Sequence, residues 1–260
     1  MPTLLVTTVG LISFLFCDSA QAGGLLMLDF QQNGDTVQPG FTQFAGPSSQ
    51  TTPYSLSFGV YTVTVSAPTD GQDTGGGFFD RNQTGGIFSP LANSGAFTYA
   101  NLYNSFAYNN SSNAFASSAV TSLTVSISGT GIAPSKSYLL TFFSFDSDAG
   151  RNASTGTHSV SITGLSGTTG TPADITWSDS ARPTTNNQYS ATEQFTSSAT
   201  GTLTFQVADF YTGNSDSRSG VRLNALILDN APEPGTLGMI ALAFAGFAVS
   251  SLLRRIPAKY

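Results

Sequence analysis

The sequence predicts an all-β fold, an antiparallel β-sandwich of the jelly-roll type. Three observations predict it. Several short runs alternate apolar and polar residues, which is the period of a strand with one buried face. Clusters of Gly, Pro, Asn and Asp separate these runs, as turns separate strands. Between residues 23 and 230 the chain has no long run of helical spacing, so strands must supply the core.

Each predicted strand follows from its own run of residues. The first, at 25–30, is almost continuously apolar, as in a strand covered on both faces. The runs at 61–67 and 123–128 alternate strictly, so one face of each is apolar and the other carries Thr and Ser. Further strands are predicted at 138–146, 158–165, 202–209 and 221–229. Thr, Val, Tyr and Phe dominate these runs, and they suit a pleated, half-buried surface.

The composition excludes one large class of function. The chain has 9 Lys and Arg against 15 Asp and Glu, a net charge of −6, whereas nucleic-acid phosphates demand a basic surface. We therefore predict no nucleic-acid partner. Only 9% of the residues are charged, but 12% are aromatic and the apolar runs are ordered. The body, residues 23–230, is thus expected to fold as one β-sandwich domain and not to be disordered.

The segment from residue 70 to 118 differs from the strand runs. Its first part is rich in Gly and predicts a loop, in which Asp80 and Arg81 either grip a polar ligand or pin the loop itself. Its second part places four residues at the spacing of one face of a short helix: Tyr99, Leu102, Tyr103 and Phe106. Two interpretations are open, a helical plug that closes one end of the sandwich or a platform on which Tyr99 and Tyr103 bind sugar rings.

Carboxylates near strand ends form a candidate site for structural calcium, which is the one cofactor considered. Asp146 and Asp148 project from the same side of the chain where a predicted strand ends. Asp29 in the first strand and Asp229 in the last are expected to be neighbours in a closed sandwich. Calcium takes carboxylate and carbonyl oxygens, which such segments supply. The other interpretation is that these aspartates cap turns and interrupt strand edges.

The sequence carries little that catalysis needs. His158 is the only histidine, no G-x-S-x-G motif occurs, and no cysteine follows Cys17. Because these residues supply neither a nucleophile with its base nor a zinc ligand set, we predict no enzyme and no catalytic residue. His158 is expected on a strand face, and Trp177, the only tryptophan, in the core.

Residues 1–22 are predicted to be a cleavable signal peptide, which makes the Sec translocon a predicted partner. The apolar run at 4–16 is short for a membrane span, and Ala20 and Ala22 form a small-x-small cleavage pattern. Cleavage after Ala22 removes Cys17. The mature chain then has no cysteine and must be held by core packing and not by disulfides.

The C-terminal segment, residues 231–260, has three parts. A Pro-Glu-Pro motif comes first: Pro232, Glu233 and Pro234. The run at 235–253 carries no charge, and a helix of its length spans roughly 28 Å, the hydrocarbon thickness of a bilayer. Two basic residues follow at once: Arg254 and Arg255. By the positive-inside rule, these parts predict a transmembrane helix over about 235–253 with its basic end in the cytosol.

This C-terminal arrangement resembles the PEP-CTERM sorting signal, which has a Pro-Glu-Pro motif, one membrane span and a short basic end. The resemblance implies an exosortase partner, a membrane cysteine protease-transpeptidase of bacteria that make exopolysaccharide. Exosortase would cut near the motif, so the protein is expected to be anchored transiently in the inner membrane. It is then expected to pass to the cell surface or to the extracellular biofilm matrix.

Four stretches of the body resemble a galactose-binding-like jelly roll: 28–44, 78–82, 137–148 and 222–228. The resemblance implies an extracellular, carbohydrate-associated β-sandwich, with a sugar site at the loop end in some members and a structural calcium in many. With the sorting signal, it predicts a non-enzymatic surface or matrix protein that is structural or associated with exopolysaccharide. The alternatives are a dedicated carbohydrate-binding module and a carbohydrate-active enzyme, in which two convergent carboxylates cleave a glycoside.

Overall fold

The computed structural model of the protein describes residues 25–48, 53–67, 73–80, 91–111, 120–146, 156–178, 181–212 and 220–231. The predicted signal peptide and the predicted transmembrane helix at 235–253 lie outside these ranges. Inside them, no helix has both the length and the apolar character needed to cross a bilayer. The described chain consists mainly of strands, which confirms the all-β class.

Fifteen strands and one short helix occur within the described ranges. In chain order they are β1 (Leu26–Gln32), β2 (Thr42–Gly46), β3 (Tyr54–Phe58), β4 (Tyr61–Ser66), β5 (Asp73–Asp80), α1 (Ala100–Asn104), β6 (Ser105–Ser111), β7 (Val120–Ser128), β8 (Ser137–Phe143), β9 (Thr157–Leu165), β10 (Thr169–Gly170), β11 (Ala173–Ser178), β12 (Ser190–Thr196), β13 (Leu203–Thr212), β14 (Gly220–Leu223) and β15 (Ala225–Asn230).

The strands form two six-stranded sheets and a smaller one of three strands. The first sheet has the order β10-β12-β8-β15-β1-β2, and the second has the order β11-β9-β13-β7-β4-β3. The third sheet is β14-β6-β5. The strand pairs of the described chain are antiparallel, apart from the parallel pair of β1 with β2. The predicted antiparallel β-sandwich is therefore confirmed at the level of its sheets.

The main core lies between the two six-stranded sheets. In β4 and β13 alternate side chains are buried, as their alternating sequences predict. Phe142 of the first sheet meets Phe205 of the second, with ring centroids 5.4 Å apart. Phe195 lies 4.9 Å from Phe205, and all three rings are fully buried. Aromatic rings bury more apolar area than other side chains, so these contacts join the two sheets.

A third layer covers the outer face of the first sheet. Phe143 points away from the main core and packs against Phe41 and Tyr99, with ring centroids 6.3 Å and 6.2 Å away. Residues 33–41 and 91–104 supply this layer. Because β1 is covered on both sides, its central positions are all buried, as its almost continuously apolar sequence predicts.

The predicted helix is shorter than its sequence pattern. α1 ends at Asn104, so the prediction of one helix face that reaches Phe106 is wrong. The backbone is already extended at Ser105, with φ −128° and ψ 148°, and β6 pairs with β5 from that residue onward. The buried Asn104 side chain holds the change of direction: its Oδ1 accepts from the Leu91 N–H, and its Nδ2 donates to the Leu91 carbonyl. Sheet pairing thus overrides the local helical spacing.

The Gly-rich segment predicted as a loop contains a strand, so that prediction is wrong for residues 73–80. β5 pairs with β6 from Asp73 to Asp80, with a shift of register between Asp73 and Gly75. A Cβ atom on Gly76 would lie 2.5 Å from the Tyr108 carbonyl oxygen and 2.3 Å from the Cβ of Ala67. The glycine therefore permits a close approach of backbones within the sheet, which its composition alone does not reveal.

The described chain begins and ends at the same end of the sandwich. Leu26 at the start of β1 pairs with Leu228 near the end of β15, because these two strands are antiparallel. We call this end of the sheets the junction end. At the opposite end, Phe143 closes β8 and pairs with Ala225, where β15 begins. We call this the distal end.

Replacing Phe142 by alanine tests the contact between the sheets. The ring is fully buried, so truncation leaves a cavity, and we expect the free energy of unfolding to fall by about 3–5 kcal/mol in urea denaturation. Phe210→Ala is the matched control, because that ring is 43% exposed on β13 and its loss should cost less than about 1 kcal/mol. Equal losses for the two variants would show that the Phe142 contact does not join the sheets.

Candidate functional site

The predicted sorting motif begins two residues after β15, the last strand of the described ranges. β15 lies between β1 and β8, and its final residue, Asn230, pairs with Tyr138. Ala231 is the last described residue. The predicted processing residues lie outside the description: Ala20, Ala22, Pro232, Glu233, Pro234, Arg254 and Arg255. The pairing of β15 is therefore complete before the motif starts.

Asp29 lies on β1 beneath the third layer and is fully buried. Its Oδ2 accepts hydrogen bonds from Gln31 Nε2 at 2.6 Å and from the Gln38 N–H at 2.8 Å. Among the described residues, neither Asp29 Oδ1 nor Gln38 Oε1 has a hydrogen-bond partner. Gln38 Nε2 donates to the Thr98 carbonyl at 3.2 Å. The carboxyl thus connects β1 to residues 33–41 and, through Gln38, to the segment that leads into α1.

Burial raises the pKa of the Asp29 carboxyl to about 7, because removal from water disfavours its charged form. The hydrogen bonds from Gln38 and Gln31 lower the pKa in part, and the charge of Asp35 raises it. The folded protein therefore holds this proton at pH values where the unfolded chain has lost it.

The expected closeness of Asp29 and Asp229 is not found in the structure, and this prediction is wrong. Their strands, β1 and β15, are neighbours, but Asp29 lies opposite Ala225 at the start of β15. Asp229 lies near the end of β15, opposite Leu139 of β8. Asp229 is half-buried. Burial raises the pKa of its carboxyl, and a backbone hydrogen bond from Leu25 opposes that effect. The register separates the two carboxylates along the strands.

Asp146 is buried near the distal end and forms an ion pair with Arg222. Arg222 Nε donates to Asp146 Oδ2 at 3.2 Å, and the guanidinium carbon lies 5.1 Å from the centroid of the Phe106 ring. Asp148, its predicted partner in a calcium site, lies outside the description. In the part of the chain that the structure describes, no three His, Cys, Asp or Glu side chains come together as a metal site. Calcium binding that involves Asp148 stays a prediction.

The predicted sugar platform is wrong for Tyr103, whose side chain is fully buried. Its hydroxyl donates to the Asn186 carbonyl at 2.9 Å, and burial raises the pKa of that hydroxyl. Tyr99 is half-buried and stands edge-on to Phe41, with ring centroids 5.8 Å apart. Both tyrosines pack on Phe143 in the third layer, on the outer face of the first sheet, whereas the helical-plug interpretation placed the helix at one end of the sandwich. The other predicted ligand-binding residues are Asp80 and Arg81. The side chain of Asp80 and the whole of Arg81 lie outside the description.

His158 and Asp209 form a buried pair that the sequence analysis did not predict. His158 Nδ1 lies 2.6 Å from Asp209 Oδ2 and donates to it, because a carboxylate only accepts. The imidazole stacks on Trp177, with centroids 3.7 Å apart and planes 9° apart. The Tyr211 ring lies 4.7 Å away. All four side chains are buried between the sheets. The predictions that His158 lies on a strand face and that Trp177 lies in the core are therefore both confirmed.

The alternating sequence holds a signal for this pair. Asp209 stands at an inward position of β13, after Phe205 and Val207, and His158 stands at an inward position of β9, before Val160. A titratable residue at an apolar position indicates a buried partner. The partners themselves follow from the register, which sets Asp209 opposite Val160, and the sequence alone does not supply it.

Comparison with known proteins identifies the C-terminal segment. The family model of the PEP-CTERM protein-sorting motif matches residues 230–255. No curated protein and no solved structure matches the chain. The match starts at the last residue of β15 and contains the whole predicted signal, from Pro232 to Arg255. The chain therefore carries a PEP-CTERM motif, which indicates export and processing by exosortase, a membrane protein. The likeness of the body to galactose-binding-like jelly rolls stays a prediction.

Asp29→Asn is expected to remove one pH dependence of stability. Between about pH 4 and pH 7 the folded carboxyl keeps its proton and the unfolded one loses it, so rising pH favours unfolding across this window. The stabilisation is fully present below about pH 4 and lost above about pH 7, a change of up to roughly 4 kcal/mol. The variant should therefore gain stability relative to the unmodified protein as pH rises.

Urea denaturation at about pH 4, 6 and 8 measures this difference. The control is Asp174→Asn on β11, where the carboxylate is exposed, and it should follow the profile of the unmodified protein. An Asp29→Asn profile parallel to that of the unmodified protein would contradict the raised pKa.

The His158–Asp209 pair is expected to stabilise the fold only while both members are present. His158→Phe leaves a carboxylate in the core without the imidazole, and Asp209→Leu removes the acceptor of Nδ1. Each change should lower the free energy of unfolding by about 3 kcal/mol or more. The double variant is apolar at both positions and should recover most of the loss. A double-mutant cycle in urea tests this coupling, and simply additive losses would rule it out.

Proposed function

We propose that the protein is an exported surface or matrix protein whose β-sandwich is released or transferred by exosortase and associates with polysaccharide without catalysing a reaction. The observation that carries the proposal is the PEP-CTERM match at residues 230–255, which begins at the final residue of β15. The motif accounts for delivery, and the mature role is assigned to the sandwich.

The position of the motif supports processing that leaves the fold intact. β15 is held by β8 through the whole of Ala225–Asn230 and by β1 from Ala225 to Leu228. Cleavage near Pro232–Pro234 breaks no pair of these strands. The sandwich can therefore leave its membrane segment without losing a strand from the centre of its first sheet.

The two ends of the described chain support a defined orientation before processing. Leu26 and Asn230 both lie at the junction end. A membrane segment that follows Asn230 therefore places the junction end toward the membrane and the distal end away from it. In this orientation the sandwich presents its distal half to the surroundings of the cell.

The character of the chain supports polysaccharide association in place of catalysis. Only 9% of the residues are charged, and Ser, Thr and Asn supply most of the polar groups, so the protein suits a neutral and hydroxyl-rich partner. The His158–Asp209 pair, the arrangement that would orient a catalytic base, is buried against Trp177 in the core. Burial of this kind favours a structural role for the pair.

Replacing Pro232 and Glu233 by alanine tests delivery through the motif. If exosortase reads the motif, the variant should accumulate in the inner membrane at full length, whereas the unmodified protein reaches the exterior without Tyr260. Cell fractionation with mass spectrometry of the carboxyl end measures both. The matched control is Pro134→Ala, an exposed proline in the sandwich, which should be delivered normally. Equal delivery of the motif variant would refute the proposed route.

A further inference from the structure

The outer face of the second sheet is lined with hydroxyl groups. On β3, β4, β7 and β9 the described outward positions are Ser or Thr, apart from Leu165 at the end of β9, which lies opposite Thr204. The Ser and Thr positions are Ser55, Ser57, Thr62, Thr64, Ser66, Ser122, Thr124, Ser126, Ser128, Thr157, Ser159, Ser161 and Thr163. The two remaining strands contribute Thr204, Gln206, Ala208, Phe210, Thr212, Asp174, Thr176 and Ser178. The inward positions of the same strands build the main core, so the pattern follows from strict alternation.

The hydroxyl groups stand in rows across the strands. One row runs from Ser55 through Thr64 and Ser126 to Thr204, each opposite the next in the register. The hydroxyl oxygens of Ser55 and Thr64 are 2.7 Å apart, and those of Ser126 and Thr204 are 3.2 Å apart. Neighbouring strands lie about 4.8 Å apart, and successive outward residues about 7 Å apart. The face is thus a repeating array of groups that both donate and accept hydrogen bonds.

This face carries almost no charge. Among its described outward residues, Asp174 on the edge strand β11 is the one charged side chain. A charged polymer would find few opposite charges here, whereas a neutral polymer loses no ion hydration on contact. The outer face of the first sheet differs, since the third layer covers it around Phe143. The second sheet therefore offers a broad, uncharged sheet face to solvent.

One exposed aromatic ring stands on this face. Three large apolar side chains of the described residues are exposed, namely Leu25, Val60 and Phe210, and Phe210 is the aromatic one at 43% exposure. Phe210 on β13 lies opposite Ser159 on β9, and Ser159 lies opposite Thr176 on β11. A ring beside hydroxyl groups offers a sugar both an apolar surface and hydrogen-bond partners. The row lies toward the distal end, away from Asn230.

We propose that the outer face of the second sheet, with Phe210 as its stacking ring, binds a neutral polysaccharide chain. This inference rests on the proposed association with polysaccharide and assigns it to a surface and a ligand class. The uncharged hydroxyl rows exclude charge as the basis of recognition. Phe210 supplies the apolar contact, and Ser159, Ser161 and Thr176 supply the hydrogen bonds beside it.

Phe210→Thr tests the assignment, because threonine keeps the strand propensity of the position and extends the hydroxyl row. The full chain, in a polyoxyethylene detergent that has no sugar headgroup, is titrated with insoluble cellulose as the neutral probe. We expect the apparent Kd to rise about tenfold or more in this variant. The matched control is Val60→Thr, which replaces an exposed apolar side chain in a turn, 52% exposed, and should change the Kd by less than about twofold. Binding should also vary little between about 0.05 and 0.5 M NaCl.

The outcomes separate this inference from the proposed function on which it rests. Cellulose binding that is unchanged in Phe210→Thr, or that falls steeply with salt, overturns the assignment to this face and leaves polysaccharide association standing. A lack of binding by the unmodified protein to cellulose and to the neutral glycans of an array overturns both. Self-association in the absence of glycan that Phe210→Thr abolishes assigns the face to a second copy of the chain, which also overturns the inference.

Discussion

The fold depends on aromatic rings buried between and outside its two large sheets. The sequence has a single cysteine, Cys17, and it lies within the predicted signal peptide, so the exported body must stay folded by packing and strand pairing. β8 couples the two packed regions directly. Its consecutive residues Phe142 and Phe143 point to opposite faces, the first toward Phe205 in the main core and the second toward Phe41 in the third layer. One central strand therefore links all three layers.

Buried polar groups secure the places where these layers meet. Asp29 accepts from Gln31 and Gln38 and thereby fixes the short connection between the parallel strands β1 and β2, which is unusually brief for a parallel pair. The Asp146–Arg222 and His158–Asp209 pairs do the same near the distal end. Each costs desolvation, and each makes one arrangement of strands and loops preferable to others because the partners must meet.

The sequence predicts the strands well where one face is buried, and poorly where pairing with a neighbouring strand determines the secondary structure. The runs at 61–67 and 123–128 became β4 and part of β7, because strict alternation leaves one solution for the core. β5 was predicted as a loop because its glycines are typical of loops, whereas in the structure Gly76 allows a close approach of the backbone. The predicted helix was too long because the backbone from Ser105 onward pairs with β5 as strand β6. The PEP-CTERM motif was predicted because it depends on the order of its parts along the chain, and the family match confirms it. The buried polar pairs were not predicted, because their partners are brought together by the register between strands that are distant in sequence.

The position of β15 has a consequence for export. It is the last strand of the described chain, yet it lies between β1 and β8 at the middle of the first sheet. Until residues 225–230 are available, both neighbours keep open edges and the sheet cannot close. A polypeptide threaded across a membrane from its amino end thus remains translocation-competent until nearly all of it has emerged. Completion of folding then waits for the arrival of β15, the strand that immediately precedes the PEP-CTERM motif.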